Sequence, residues 1–233
     1  MSETINVVET QKKLTQTEIV VVLDKSGSMA SIIHPTVEGF NTFVKEQKAA
    51  EGEAFLTLIQ IDDRYEVDYK STPINDVKDL IAYETYKPRA STALYDAIGK
   101  TLNELETDRD VVFVIITDGY ENASKEFKGD AIKKMIETKE GENKWKFVYM
   151  GANQDAIKTG ESFGMRSANS VTYAADSEHV KVAYMNVSNN ISKFRSSKMD
   201  FMKTVSFDGL TDVDMEKLSN DLSFTDDQRK KSV

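Results

Sequence analysis

The chain has 233 residues, no cysteine and two histidines, and its formal net charge is −9. The lack of cysteine excludes disulfides and thiolate metal sites, and the negative charge disfavours nucleic acid or an anionic membrane as a partner, since both attract basic residues. The N-terminal residues lack the apolar core of a signal peptide, and no stretch reaches the roughly 18 apolar residues of a membrane span. We therefore expect a cytoplasmic protein.

The first part of the chain predicts apolar strands that alternate with amphipathic helices. A continuous β-branched run over 18–23 is typical of a strand that is buried on both faces, as in a parallel sheet. In chain order we predict a flexible arm at 1–16, a strand at 18–23, a helix at 35–48, a strand at 54–61 and an antiparallel return strand at 65–69. The last two form a hairpin that we place at one edge of the sheet.

The second part continues the alternation, which predicts a doubly wound α/β sheet with helices on both faces. The predicted elements are a short helix near 77–82, a helix at 92–105 with Ser91 as its N-cap, a strand at 111–116, a helix at 128–139, a strand at 145–150, a helix at 154–163, a strand at 170–173 and a helix at 177–196. We divide the chain into the arm, one domain over 17–196, and a polar tail over 197–233 with one weak helix at 211–222 and a frayed end.

Polar side chains follow two of the predicted buried strands at the point where each strand ends. Asp24 follows the first of these strands and Asp118 follows the later one. The crevice outside the carboxyl ends of the strands is where open α/β sheets bind ligands. Ser26 and Ser28 alternate with Asp24, so a partly extended loop can turn all three side chains the same way.

Carboxylate and hydroxyl oxygens are hard ligands, which suit Mg²⁺, and also Mn²⁺ or Ca²⁺, better than soft metals. The predicted helices at 35–48 and 92–105 direct their positive N-terminal ends toward the same region. An anionic ligand is therefore favoured there. With largely neutral donors around it, a cation at this place would attract one further carboxylate.

These residues resemble the von Willebrand factor type A (vWA) family, in its intracellular bacterial or phage type. Residues 20–29 read VVVLDKSGSM, and Asp24, Ser26 and Ser28 match the family's metal-ion-dependent adhesion site, Asp-x-Ser-x-Ser. Thr92, in STALYDAI, and Asp118, in ITDGYENAS, match the family's threonine and second aspartate. The resemblance covers about 17–196. It implies a mostly parallel, six-stranded, Rossmann-like sheet with one antiparallel edge strand.

The resemblance also implies a function. It identifies Asp24, Ser26, Ser28, Thr92 and Asp118 as metal ligands, with Mg²⁺ as the expected ion, in a module that captures an Asp or Glu carboxylate of a partner protein. The sequence departs from the family in the residues before the threonine, where glycines are common and this chain has Arg89, Ala90 and Ser91.

The alternative is a metal-dependent hydrolase or phosphotransferase that uses the same site. The sequence speaks against an enzyme, because it lacks a Gly-x-Ser-x-Gly nucleophile elbow around Ser26 and a Walker A loop. We interpret Glu121 and Asn122 as turn residues in preference to metal ligands. Tyr95 and Tyr120 flank the predicted site, where each could either shape a partner surface or pack.

Overall fold

The computed structural model describes residues 15–141, 145–204 and 221–233. The strands are β1 (Thr17–Asp24), β2 (Ala54–Ile61), β3 (Tyr65–Pro73), β4 (Asp110–Thr117), β5 (Trp145–Ala152) and β6 (Ser170–Tyr173). They form one sheet in the order β3-β2-β1-β4-β5-β6. Of these strands, β3 pairs antiparallel with β2 and the other neighbours pair parallel. The predicted mostly parallel, six-stranded sheet with an antiparallel edge strand is confirmed.

Helices cover both faces of this sheet. They are α1 (Ile33–Ala49), α2 (Leu94–Glu104), α3 (Gly129–Gly141), α4 (Ala156–Ser162), α5 (Ser177–Thr204) and α6 (Asp226–Lys231). Alternate residues of β1 face opposite ways, so that Val21 packs with α1 and α5 while Val22 packs with α2 and α3. Burial on both faces explains why β1 is apolar without alternation.

The connections place one crevice at the centre of the sheet. From β1 the chain moves to β2 and β3 on one side, then crosses to β4 on the other side of β1. Because β1 and β4 are parallel, with Leu23 beside Ile116, their carboxyl ends meet at this reversal of direction. The residues that follow the two strands therefore lie together at the topological switch point.

The predicted helix near 77–82 is wrong. A short 3₁₀ turn at Ile74–Asp76 precedes an irregular segment whose Val77 and Leu80 side chains are buried in the core. The Asn41 side chain on α1 accepts a hydrogen bond from the Leu80 N–H (2.8 Å) and donates one to the Leu80 carbonyl (2.9 Å). The Asn41 side chain therefore satisfies both backbone hydrogen-bonding groups of Leu80 without a helix.

The predicted N-cap of the second long helix, Ser91, is also wrong, because α2 begins at Leu94. Residues distant in sequence satisfy its first N–H groups: the Glu121 carboxylate accepts from Tyr95 N–H (2.9 Å), and Ser124 Oγ accepts from Asp96 N–H (3.0 Å). Helix α2 is thus capped by the loop that follows β4.

The C-terminal end is more ordered than the predicted frayed tail. Helix α6 carries a capping box between Thr225 and Gln228, and Phe224 is buried. The Ser232 carbonyl accepts a hydrogen bond from Ala174 N–H (2.9 Å), which ties this end to the end of β6. Helix α5 also continues beyond its predicted end. The predicted arm lies almost wholly outside the described residues, as does most of the predicted helix at 211–222.

None of the described helices combines the length with the apolar character needed to cross a bilayer.

Candidate functional site

The predicted metal ligands come together around Gly119, at the carboxyl ends of β1 and β4. A methyl group placed on Gly119 would lie 3.4 Å from Thr92 Oγ1, 3.5 Å from Ser28 Oγ and 3.8 Å from Asp24 Oδ2. These three side chains belong to two loops that are far apart in sequence, and Gly119 belongs to a third. The three loops therefore direct oxygen atoms at one small volume.

Direct hydrogen bonds join the two serines and the second aspartate. Ser28 Oγ donates to Asp118 Oδ1 at 2.6 Å, and Ser26 Oγ lies 3.1 Å from Ser28 Oγ. The structure thus places all five predicted side chains in one cluster, with Asp24, Ser26 and Thr92 buried and Ser28 exposed. The cluster is closed toward the core and open toward solvent.

Asp24 is a fully buried carboxylate whose hydrogen bonds come from neutral groups. Ser26 N–H donates to Oδ1 and Thr117 Oγ1 donates to Oδ2, both at 2.6 Å. Burial raises the pKa of Asp24 from 3.8 to about 6, and burial also raises the pKa of Asp118. Two carboxyl groups that are costly to ionise share one cluster, so a cation between them would supply the missing positive charge.

The loop after β4 holds Thr92 through its backbone. Thr92 N–H donates to Asn122 Oδ1 (2.9 Å), and the Thr92 carbonyl accepts from the N–H groups of Asn122 (3.0 Å) and Ala123 (3.1 Å). Asn122 therefore acts as a turn residue that fixes the position of Thr92, and Glu121 caps α2. Both agree with their interpretation as turn residues.

Two residues that contact the cluster were missed by sequence reasoning. Thr117 donates to Asp24, and its place directly before Asp118 was a usable signal. The fully buried Tyr86 donates its hydroxyl to the Asp24 carbonyl at 2.6 Å. Tyr86 is 62 residues away along the chain, and no local pattern marks it.

The two flanking tyrosines differ in their surroundings. Tyr95 packs edge-on against Phe163, with ring centres 5.7 Å apart. Tyr120, two residues after Asp118 in the chain, is 69% exposed. A third tyrosine, Tyr83, is 61% exposed and lies edge-on to the ring of His34, with ring centres 5.8 Å apart. Tyr120 is therefore available to a partner, whereas Tyr95 has a packing role.

The donor set fits a hard divalent cation. It consists of two carboxylates and three hydroxyls, which are oxygen donors of the kind that Mg²⁺ accepts. Within the described ranges, no group of three or more carboxylate, imidazole or thiolate side chains is arranged to hold a metal. A cation here would therefore depend on the hydroxyls of Ser26, Ser28 and Thr92 as well as on the aspartates.

Comparison with known proteins finds similarity in structure but not in sequence. No protein-family model matches the chain, and no curated protein matches it. Proximal thread matrix protein 1 from the mussel byssus superposes with a TM-score of 0.56 at 13% identity, over 75% of this chain and 46% of that one. A von Willebrand factor type A protein from Catenulispora acidiphila gives 0.52 at 13% identity, over 79% of this chain and 42% of that one.

A third structure is matched over most of its own length. The vWF domain of the type V pili tip protein Mfa5 from Porphyromonas gingivalis superposes with a TM-score of 0.55 at 11% identity, over 76% of this chain and 95% of that one. The chain spans less than half of the other two proteins. Identities this low establish the fold alone. The chain has a von Willebrand factor type A-like fold.

Proposed function

We propose that the protein is a divalent-metal-dependent binding module that captures an Asp or Glu carboxylate of a partner protein in an intracellular complex. The observation that carries this proposal is the convergence of Asp24, Ser26, Ser28, Thr92 and Asp118 from three loops around Gly119. The vWA-like fold supports it, because the cluster lies at the switch point where such sheets bind ligands. The cytoplasmic location that we expect from the sequence belongs to the proposal.

The number of donors in the cluster indicates why a bound Mg²⁺ would have a place for a partner's oxygen. The cluster supplies two carboxylates, and its other three donors are neutral hydroxyls. A Mg²⁺ ion takes up six ligands, so five protein side chains leave room for one more oxygen. Ser28 and Tyr120 are on the exposed side, which is the side from which a partner carboxylate would approach.

The way in which the neighbouring carboxylates are used supports the proposal of binding without turnover. Glu121 accepts hydrogen bonds from three backbone N–H groups and from Ser124 Oγ. Asp96 accepts from three further N–H groups, and Asp62 pairs with Arg89. A general base must be free to take a proton from substrate or water. These carboxylates instead accept hydrogen bonds that hold the loops in place, which disfavours them as general bases.

Titration calorimetry with MgCl₂ tests the metal site. We expect the wild type to bind one Mg²⁺ and Thr92→Val to bind it at least about tenfold more weakly, because the substitution removes one oxygen and keeps the shape. Thr138→Val is the matched control, since Thr138 lies exposed on α3 and its hydroxyl donates to the Lys134 carbonyl of the same helix (2.8 Å). Equal Mg²⁺ affinity in the wild type and Thr92→Val would contradict the metal assignment.

A pull-down with the same three proteins tests the capture of a partner. Partner retention should require Mg²⁺, disappear with a chelator, fail with Thr92→Val and persist with Thr138→Val. Excess free glutamate should compete with it. Retention that is indifferent to chelator would contradict the proposal, and phosphoester turnover that is lost in Asp118→Ala would favour the hydrolase or phosphotransferase instead.

A further inference from the structure

Four charged residues form a cluster between the β2–β3 hairpin and the two loops that carry the hydroxyl donors. Lys25, which lies between two of the predicted metal ligands, pairs with Glu66 on β3. Arg89, three residues before Thr92, donates from Nε to Asp62 Oδ2 (2.6 Å) and from Nη2 to Glu66 Oε1 (2.5 Å). We name Lys25, Asp62, Glu66 and Arg89 the charge latch. It joins both loops to the β2–β3 hairpin.

Backbone hydrogen bonds run through the same place. Lys25 N–H donates to the Ile61 carbonyl (2.7 Å) and Arg89 N–H donates to the Lys25 carbonyl (2.8 Å). Ala93 N–H, directly after Thr92, donates to the Asp62 carbonyl (2.8 Å). The charge latch is therefore part of the connection that sets the distance between the loop of Ser26 and Ser28 and the loop of Thr92.

Two members of the charge latch are buried, so the stability of the fold depends on their ion pairs. Asp62 is 0% and Lys25 is 4% exposed, whereas Glu66 and Arg89 are about 40% exposed at their side chains. The Lys25 ammonium, through its hydrogen bond, is the largest cause that holds the pKa of Glu66 below its usual value. A buried charge that loses its partner is strongly destabilising, so Lys25 and Asp62 hold their partners in fixed positions.

We propose that Arg89 and its partners in the charge latch are positioning residues, which hold the hydroxyl donors at the spacing that a divalent cation requires. This inference rests on the proposed function. Arg89 lies three residues before Thr92, and the adjacent Ala90 has a φ of +56°. The loop keeps a conformation that disfavours alanine, and the Arg89 contacts supply the restraint.

The direction in which the Mg²⁺ affinity changes when Arg89 is replaced distinguishes a positioning role from direct Coulomb repulsion. Coulomb repulsion from a nearby guanidinium weakens the binding of a cation, so loss of the Arg89 charge would by itself tighten Mg²⁺ binding. Loss of positioning acts in the opposite direction, because the oxygen donors then move apart. Arg89→Lys keeps the charge but replaces a fork that reaches two carboxylates by a single ammonium.

Calorimetry with MgCl₂, together with melting curves in EDTA, provides the test. We expect about tenfold weaker Mg²⁺ binding in Arg89→Ala and an intermediate loss in Arg89→Lys, both measured at a temperature at which the EDTA melting curves show each variant to be fully folded. Arg64→Ala is the control: Arg64 is exposed in the same hairpin, so the variant removes the same charge and leaves the charge latch intact. Its Mg²⁺ affinity should stay within about twofold of wild type.

The outcomes separate this inference from the proposed function. A wild type that binds no Mg²⁺ would overturn both. A wild type that binds Mg²⁺, with equal or tighter binding in both Arg89→Ala and Arg89→Lys, would overturn the positioning role alone. If Arg89→Ala does not fold, Arg89→Lys decides, because it preserves the charge and isolates the loss of the two-carboxylate contact.

Discussion

Replacement of Asp24 by asparagine is expected to stabilise the metal-free protein and to abolish its stabilisation by Mg²⁺. Asparagine keeps the shape and can accept from Ser26 N–H, but it carries no charge into a fully buried position. A pKa of about 6 in place of 3.8 corresponds to about 3 kcal/mol of unfavourable free energy when Asp24 is ionised. We expect the melting temperature in EDTA at pH 7.5 to rise by several degrees.

The pH dependence of this effect has a definite sign. Because the folded-state pKa of Asp24 is raised above 3.8, the unfolded chain loses the proton first as the pH rises. The penalty therefore grows between about pH 4 and pH 6 and is complete above pH 6. The stability advantage of Asp24→Asn in EDTA should be small near pH 4 and largest above pH 6.

Addition of Mg²⁺ should make the wild type more stable than Asp24→Asn, the reverse of their order in EDTA. A ligand that binds only the folded state at a hundred times its dissociation constant adds about 2.7 kcal/mol. The wild type should gain this stabilisation and Asp24→Asn should not. Asp63→Asn, at an exposed position of the β2–β3 turn, should behave as wild type in both conditions. An Asp24→Asn protein that is less stable in EDTA and still stabilised by Mg²⁺ would contradict this account.

Gly39→Ala is expected to destabilise the protein, although alanine is the better helix former. Gly39 lies inside α1, and a methyl group there would meet the Tyr184 ring of α5 at 2.5 Å from Cδ2 and 2.8 Å from Cγ. Tyr184 is 2% exposed, so its ring has little room to move. We expect the free energy of unfolding to fall by about 1–3 kcal/mol, measured by urea denaturation.

Gly141→Ala is the matched control for this prediction. Gly141 ends α3, and within the part of the chain that the structure describes, its chain neighbours aside, a methyl group there would have no atom within 4 Å. Helix propensity should act alone at this position, so the variant should be neutral or up to about 1 kcal/mol more stable. If Gly39→Ala were as stable as Gly141→Ala, the close packing of α1 on α5 would be in error.

The sheet and the site cluster were predictable because their signals are local. The unbroken apolar run of β1 has few interpretations other than a central parallel strand. A carboxylate directly after such a strand must lie at the carboxyl edge of the sheet, which is why the sequence alone predicts that Asp24 and Asp118 lie together. The structure puts the five predicted oxygen-bearing residues in one cluster, and their metal ligation stays a prediction.

The features that were missed depend on contacts between distant parts of the chain. Ser91 has the chemistry of an N-cap, but Glu121 and Ser124 satisfy the start of α2 from another loop. The segment around Val77 has its backbone partner on α1, so local propensity does not describe it. The charge latch pairs residues 23 to 41 positions apart, and Lys25 has no local feature that separates it from a solvated lysine.

The helix at the C-terminal end had a usable sequence signal. Thr225 and Gln228 have the spacing of a capping box, and both reciprocal hydrogen bonds form. Their polar surroundings suggested a frayed end, but Phe224 and Leu222 are buried against the core. The two apolar residues before the box were therefore the more informative observation.

A crystal structure in the presence of Mn²⁺, whose anomalous scattering locates the ion, tests whether the cluster around Gly119 binds a metal. We predict one anomalous peak among the side chains of Asp24, Ser26, Ser28, Thr92 and Asp118, with a carboxylate from a ligand or a neighbouring molecule on its open side. A structure at saturating Mn²⁺ with no peak at this cluster, or with its ion bound elsewhere, would contradict this prediction.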